Sequence, residues 1–245
     1  MGTFQFKKFS VVNERSAMKV NTDGVLLGAV MTIGPDDRML LDIGTGTGTI
    51  ALMAAQRLAS FATLTLPQIA AIDIDEPSAT EAAQNFANSP WADSLKAYNL
   101  SLDQYEGSLP ASTEFDLIFS NPPYFEDSLT APDIRKSTAR HTSDGLSYRD
   151  IFDFAAQRLS DNGRVAYVLP ADQEQALCRY GRMVGLHLFR ITRVRTVPRK
   201  APSRIIAEFS RHRCENPEDM VLTIQNDGSY TQEYLDVMKD FYLFA

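Results

Sequence analysis

Met39-Leu40-Leu41-Asp42-Ile43-Gly44-Thr45-Gly46-Thr47-Gly48 runs from an apolar stretch into a glycine-rich turn, and its reading decides the fold. MLLDI at 39–43 reads as a buried strand, and TIALMAAQRLA at 49–59, beyond the turn, as an apolar helix. Outward from this unit the pattern repeats. IAAIDI at 69–74 is a second strand, and Ser78 and Glu81 have capping-box spacing for a helix through Phe86. LKAYNL at 95–100 and FDLIFS at 115–120 are strands three and four. A polar stretch without a clear period, 121–146, is expected to be an active-site loop or disordered. Ser147 and Asp150, again with capping-box spacing, open a helix through Leu159, and GRVAYVLP at 163–170 is a fifth strand. A helix near 172–184, strand-like segments at 186–197 and 204–210, a strand and turn in VLTIQNDGSYT and a short amphipathic helix ending in DFYLFA complete the chain. Strands alternating with helices signal βαβ units and a mostly parallel sheet, so the chain reads as one α/β domain over 1–245. Residues 1–36 form a segment ahead of that pattern.

A chain of 245 residues needs no disulfide or metal to hold its core. Its 44% apolar and 22% charged residues are globular proportions, which exclude disordered, collagenous and low-complexity classes. No apolar run has the length of a membrane helix, and MGTFQFKKFS lacks the apolar centre of a signal peptide. The expectation is a cytoplasmic protein with no membrane association. Cys178 and Cys214 stand apart from any Cys/His cluster, so two reduced thiols and no metal site are expected. The net charge of −7 argues against a general polyanion binder, yet the charge is uneven. Arg190, Arg193, Arg195, Arg199, Lys200, Arg204, Arg211 and Arg213 crowd one stretch whose single acid is Glu208. A local stripe of this kind can hold phosphates although the total is negative.

The glycine turn lies between strand and helix, where α/β sheets bind nucleotide-like ligands. Glycine lets the backbone turn sharply and approach a ligand with no Cβ in the way. Gly44, Gly46 and Gly48 alternate as GxGxG, not the GxGxxG of dinucleotide binders. Asp42, two positions ahead, is poor company for a pyrophosphate and better suited to a cationic, zwitterionic cofactor. Asp73, ending the second strand, is placed to accept from both hydroxyls of a ribose. Asp75 is the weaker candidate, since an acid there can simply start the helix.

Asn121-Pro122-Pro123-Tyr124 follows the fourth strand directly. Two prolines fix φ and remove two backbone donors, which leaves the preceding carbonyls free to point outward. The Asn121 side chain offers a carbonyl acceptor, and Tyr124 a flat face for a planar group. An amino group conjugated to a ring is a poor nucleophile, because its lone pair is delocalised. Two acceptors, the Asn121 side chain and the Pro122 carbonyl, would hold its two N–H bonds and favour a pyramidal nitrogen. No strong general base is then required.

DIGTGTG, AIDID and NPPY in this order resemble the S-adenosylmethionine-dependent methyltransferases that modify amino groups. These motifs fit adenine-N6 methyltransferases of DNA or RNA and glutamine-N5 methyltransferases alike. MKVNTDGVLLGAV at 18–30, ARHTSDGLSYRD at 139–150 and YTQEYLDVMKDFYLFA at 230–245 narrow the resemblance to the bacterial tRNA1(Val) adenine-37 N6-methyltransferase family, over about residues 4–245. The resemblance implies a Rossmann-like methyltransferase fold, with a mostly parallel seven-stranded sheet and helices on both faces. It implies S-adenosyl-L-methionine as cofactor and a tRNA anticodon stem-loop as partner, with adenine 37 as target. Asp42, Gly44, Thr45 and Gly46 would contact the amino-acid end of the cofactor, and Asp73 with Ile74 its nucleoside. Lys19, Thr22 and Asp23 lie in the N-terminal segment that would cover the cofactor. Asn121, Pro122, Pro123 and Tyr124 would hold the flipped adenine, with Asn121 also bordering the cofactor. Such enzymes often carry an acid after strand three for the cofactor adenine; this chain has Ser101, so the Ser101 backbone and Leu102 packing are expected to serve.

The implied substrate fits the charge map. Bases of a single-stranded loop can be splayed out and stacked on aromatic rings, and stem phosphates call for lysine and arginine. The candidates are Lys7 and Lys8, then Arg135, Lys136 and Arg140 in the polar loop, then Arg195, Arg199, Lys200 and Arg204. His141 is assigned no catalytic task. Protein glutamine-N5 methylation is the nearest rival, but those enzymes resemble this chain only in the core and carry an additional helical domain before it. A DNA adenine methyltransferase usually has a separate target-recognition region, and none is visible. A non-catalytic cofactor- or RNA-binding protein would have no use for the amine clamp. With one domain and no long exposed apolar stripe, a monomer without an obligatory protein partner is expected.

Overall fold

The structure is a computed structural model and describes residues 2–61, 65–123 and 146–245. A short antiparallel hairpin, β1 (Thr3–Gln5) and β2 (Ser10–Val12), precedes helix α1 (Thr22–Val30). There follow β3 (Met39–Ile43), α2 (Thr49–Leu58), β4 (Gln68–Asp73), α3 (Glu76–Ala87), β5 (Leu95–Asn99), α4 (Leu102–Ser108) and β6 (Phe115–Ser120). The C-terminal half holds α5 (Tyr148–Arg158), β7 (Leu159–Pro170), α6 (Glu174–Met183), β8 (His187–Arg195), β9 (Arg204–Ser210) and β10 (Glu218–Thr223). A small hairpin, β11 (Gln225–Asn226) and β12 (Ser229–Tyr230), leads into α7 (Gln232–Met238).

The central sheet has the order β10-β8-β9-β7-β6-β3-β4-β5. Only β9 runs against its two neighbours; every other pairing is parallel. The expected sheet is therefore present, with one strand more than the seven expected. The eighth is β10, which adds in parallel to the outer edge of β8 with Glu218 opposite Arg190 and Thr223 opposite Arg195.

Alternation along the strands divides the core. Leu40, Leu117, Phe119, Ala166, Val168 and Ile206 pack on one face with α1, α2, α3 and α7. Leu41, Ile43, Ile118, Val165, Tyr167 and Ile205 pack on the other with α4, α5 and α6. Residues buried on both faces read as continuous apolar runs, as the central parallel strands do. No helix among the described residues is long and apolar enough to cross a membrane. Cys178 and Cys214 are free, and no cluster of metal-ligating side chains occurs among the described residues.

Two local readings are corrected. Helix α3 does not begin at a Ser78–Glu81 capping box: Asp75 is the N-cap, its carboxylate accepting from the Ser78 N–H at 3.0 Å, with Pro77 in the first turn. Glu81 is turned to another task, described below. Helix α1 was not expected at all. It is almost wholly buried, and its apolar residues ring the axis without a polar stripe, so it carries no amphipathic period. At Ser147 the expected capping box is present, with Asp150 accepting from the Ser147 N–H.

Candidate active site

Strand order reverses at β3: the chain goes on to β4 and β5 on one side and returns to β6 on the other. Doubly wound sheets place their ligand crevice at such a switch point, at the carboxyl ends of the strands. The glycine turn leaves β3 there, Asp73 ends β4, and Asn121 follows β6.

Three glycines take left-handed φ values, 73° at Gly44, 56° at Gly46 and 80° at Gly48. A Cβ at Gly48 would lie 2.5 Å from the Phe86 ring, so this glycine lets α2 approach α3. The turn is tied to its neighbours. The N–H groups of Gly44 and Thr45 donate to the Ile72 carbonyl at 2.9 and 3.0 Å, and the Gly46 N–H donates to Asp73 at 2.8 Å. Across the switch point the Ser120 hydroxyl donates to the Ile43 carbonyl at 2.7 Å.

Asp42 lies fully buried beneath the turn. Thr45 Oγ1 donates to one of its oxygens at 2.7 Å, while the other has no hydrogen-bond partner. Burial, opposed by the Thr45 hydrogen bond and by the nearby Ala51 N–H and reinforced by the Asp73 charge, pushes its pKa up to about 7. A buried carboxylate with one idle oxygen suits a cationic group. Asp73 is also pushed up by burial, against the N–H groups of Asp75 and Gly46 that hold its two oxygens. Each oxygen therefore already accepts one backbone hydrogen bond. Asn99 donates to the Asp73 and Ile74 carbonyls at 3.0 Å each and fixes the end of β4, where Ile74 is 76% exposed. An apolar side chain held open beside a half-buried acid offers a flat aromatic group a packing surface.

Ser101 caps α4. Its hydroxyl accepts from the Gln104 N–H and its own N–H donates to Gln104, while Leu102 is buried. The Ser101 N–H expected for the cofactor adenine is thus spent within the cap. Asn121 and Pro122 are buried and Pro123 is exposed; Asn121 Nδ2 donates to Met18 Sδ at 3.6 Å. Tyr124 lies outside the described residues.

Sequence reasoning missed how the N-terminal segment is held. Glu81 is 1% exposed, and its carboxylate accepts from the N–H groups of Glu14, Arg15 and Ser16 at 2.8, 2.7 and 3.1 Å. Asn85 exchanges two hydrogen bonds with Val12, and Ser78 accepts from the Ala17 N–H at 3.3 Å. Helix α3 therefore clamps residues 12–17 as a strap, and Asn21 caps α1 beyond it. Between these fixed points Met18, Lys19, Val20 and Asn21 line a cleft with Gly44–Thr47 and Asn121. The signal was present as Glu81 and Asn85, spaced to lie on one face of α3.

Lys19 lines the cleft, but its ammonium donates to the Glu14 carbonyl at 2.7 Å. Thr22 is exposed at the start of α1, and Asp23 pairs with Arg204 at 2.8 Å. A residue expected at the cofactor and one expected at RNA thus meet each other at the mouth of the site.

The basic candidates divide. Lys7 donates to the carbonyls of Lys239 and Ala245, the latter at 2.8 Å, and pins the C-terminus; Lys8 is exposed. Arg190 pairs with Glu208 and Glu218, each at 3.0 Å, and Arg193 with Glu174 and Asp219. Arg195 reaches Thr223 and the Pro198 carbonyl, and Arg199 and Lys200 are exposed. Since β8 runs parallel to β7 through β9, Arg195, Arg199, Lys200 and Arg204 lie at the edge of the sheet that carries the site. Arg211 and Arg213, beyond the far end of β9, lie at the opposite edge. Arg135, Lys136, Arg140 and His141 lie outside the described residues.

Residues 16–177 match the family model described as the methyltransferase small domain. The tRNA1(Val) (adenine(37)-N6)-methyltransferase of Parabacteroides distasonis is 41% identical over 241 residues, 98% of this chain and 97% of that protein. The protein of the same name from Flavobacterium psychrophilum is 38% identical over 98% and 99% of the two chains. Among solved structures, one described as a predicted O-methyltransferase from Agrobacterium tumefaciens superposes with a TM-score of 0.62 at 14% identity, covering 88% of this chain and 95% of that one. At that identity the likeness is one of fold.

Proposed function

The chain belongs to the methyltransferase small-domain family and to the tRNA1(Val) (adenine(37)-N6)-methyltransferases within it, and from that footing we propose that it methylates N6 of adenine 37 in the anticodon loop of tRNA1(Val). The observation that carries the reading is a buried asparagine followed by two prolines, at the switch point beside a glycine turn. When bound, S-adenosyl-L-methionine supplies an electrophilic sulfonium methyl. Asp42, with its idle buried oxygen, would receive the cationic ammonium of that cofactor, and the Gly44–Gly46 backbone would pass close to its amino-acid end. The second lone pairs of the Asp73 oxygens would serve a ribose, with Ile74 and Leu102 against the adenine. Residues 18–21 of the strap would cover the cofactor.

Asn121 and the Pro122 carbonyl would accept the two N–H bonds of the target amine. Held this way, the nitrogen's lone pair is drawn out of conjugation with the ring and becomes available for attack. Tyr124 would stack on the base. Lys8, Arg195, Arg199, Lys200 and Arg204, with Arg135, Lys136 and Arg140, would hold phosphates of the stem-loop.

The test is methyl transfer from labelled cofactor to total tRNA lacking the modification, followed by nucleoside analysis. N6-methyladenosine is expected in one valine tRNA; transfer to a protein glutamine or to DNA instead would overturn the substrate. Asn121→Ala is expected to abolish transfer while cofactor affinity stays within about threefold. Retained transfer would sink the amine clamp.

A further inference from the structure

Among the described residues two aromatic side chains are exposed, Tyr230 at 42% and Phe244 at 55%, and they stand together. Their rings stack with centroids 5.0 Å apart and planes 10° from parallel. Two buried rings support the pair: Tyr234 packs against Tyr230 at 5.1 Å, and Tyr242 against Phe244 at 4.9 Å. The chain is held on either side of them. Thr231 donates its N–H to the Ile224 carbonyl at 3.0 Å and its hydroxyl to the Thr223 carbonyl. Ala245 donates to the Tyr242 carbonyl at 3.3 Å, and Lys7 grips the Ala245 carbonyl. Rings kept in order yet left half open can stack on a flat partner at little entropic cost.

The topology sets this pair beside the site. Ser120 lies level with Tyr167, Ala207, Ile191 and Asp219 on the strands leading outward, and β10 runs on in the same direction as β6 to Thr223. The hairpin β11–β12 therefore leaves the edge that carries Asn121, about 19 Å to the side of β6 and about 13 Å beyond its end. It is tied to the basic turn: the N–H groups of Ile224 and Gln225 donate to the Arg195 and Thr196 carbonyls at 3.0 and 2.9 Å, and Gln225 pairs with Tyr230. In strand order the exposed Arg199 and Lys200 fall between the rings and Asn121.

Charge divides the labour along this edge. The hairpin's own charged residue is the exposed Asp227, and Glu233 and Asp236 follow on α7. Acids there turn phosphate away, whereas the turn one step inward attracts it. The rings thus suit the uncharged, planar part of a polyanion, which in RNA is an unpaired base.

We propose that Tyr230 and Phe244 form a stacking platform for an unpaired base of the substrate RNA, beside the turn whose Arg199 and Lys200 take its phosphates. The inference rests on the tRNA reading given above. Tyr230→Leu and Phe244→Leu keep apolar bulk and remove the flat face. In each, the dissociation constant for unmodified tRNA1(Val) transcript is expected to rise about five- to tenfold, as for one lost base–aromatic stack. Phe244→Trp should bind as tightly as the wild type. No phosphate contact is lost in any of the three, so the slope of log affinity against log salt should not change. An unchanged constant in Phe244→Leu, a loss that Phe244→Trp shares, or a flatter slope overturns the proposal.

The emission of Phe244→Trp, read against that of Trp91, the one tryptophan of the chain, provides a test without a weakened variant. It should be quenched by the anticodon stem-loop and not by a fully paired duplex of the same stem. Quenching by both, or by neither, overturns the platform. A wild type that neither binds nor methylates this tRNA would fail the functional reading itself. A wild type that does both, with Phe244→Leu its equal, fails the platform alone.

Discussion

Asp42 shows how one residue can be costly to the fold and useful to the site. Its pKa of about 7 lies well above the roughly 4 of an aspartate in an unfolded chain. Between those values the folded protein holds a proton that the unfolded chain has lost, so stability falls as pH rises from about 4 to about 7, by up to about 1.4 kcal/mol per pH unit. Asp42→Asn keeps the shape and removes the titration. The variant is expected to melt at a higher temperature than the wild type at pH 8, with the gap closing at pH 5. For the cofactor the sign is opposite. An ammonium needs the ionised carboxylate, so wild-type affinity should fall about tenfold per unit below pH 7, while the variant binds more weakly and with a flat profile. Calorimetric titration at pH 5, 6, 7 and 8 checks both. A variant that keeps the wild-type pH slope would show that another group titrates. The acid before the glycines was legible in the sequence; the burial that gives it this behaviour was not, because it depends on what packs above it.

Elements whose burial is one-sided or complete over a short run were readable: β3, β6 and β9 fall where the apolar pattern places them, and α5 begins at its capping box. The elements that escaped are those whose partners are distant in sequence. Helix α1 is buried all round and so lacks a period, and the strap has no regular structure to announce it. Glu81 was misread because Ser-x-x-Glu has the same spacing whether it caps a helix or not; the Asp75-Glu76-Pro77 start three residues earlier is the stronger signal. A buried carboxylate that takes three backbone N–H groups binds a segment with no strand or helix of its own. Glu81→Gln puts a donor where an acceptor is needed, at a cost of about 2 kcal/mol. Amide exchange at residues 14–16 should rise far more than in the β3–β6 core, and methylation should fall with it, because Met18 and Lys19 hang from the same strap. If exchange at 14–16 is unchanged, the clamp lies elsewhere.

At the scale of the molecule, a net charge of −7 repels polyanions, so any RNA contact has to be local. The run from Arg190 to Arg213 shows in the sequence as one basic stripe, and it is the topology that sorts it. Arg190 and Arg193, mid-strand on β8, are spent on Glu208, Glu218, Glu174 and Asp219, which bind β8 to β9, β10 and α6. Arg211 and Arg213 are carried to the far edge by the antiparallel β9. Within this run, it is the turn between β8 and β9 that leaves Arg199 and Lys200 exposed at the edge where β6 ends in Asn121. The two groups should separate in experiment. Arg199→Ala with Lys200→Ala is expected to weaken tRNA binding and to flatten the plot of log affinity against log salt by about one to two units, since each phosphate contact contributes a little under one. Melting temperature should hardly move. Arg193→Ala should do the reverse, lowering stability and leaving the salt slope intact, because its charge is already neutralised within the fold. Equal salt slopes for wild type and the double variant would place the phosphate contacts elsewhere, with the basic residues between strand β6 and helix α5 as the next to substitute.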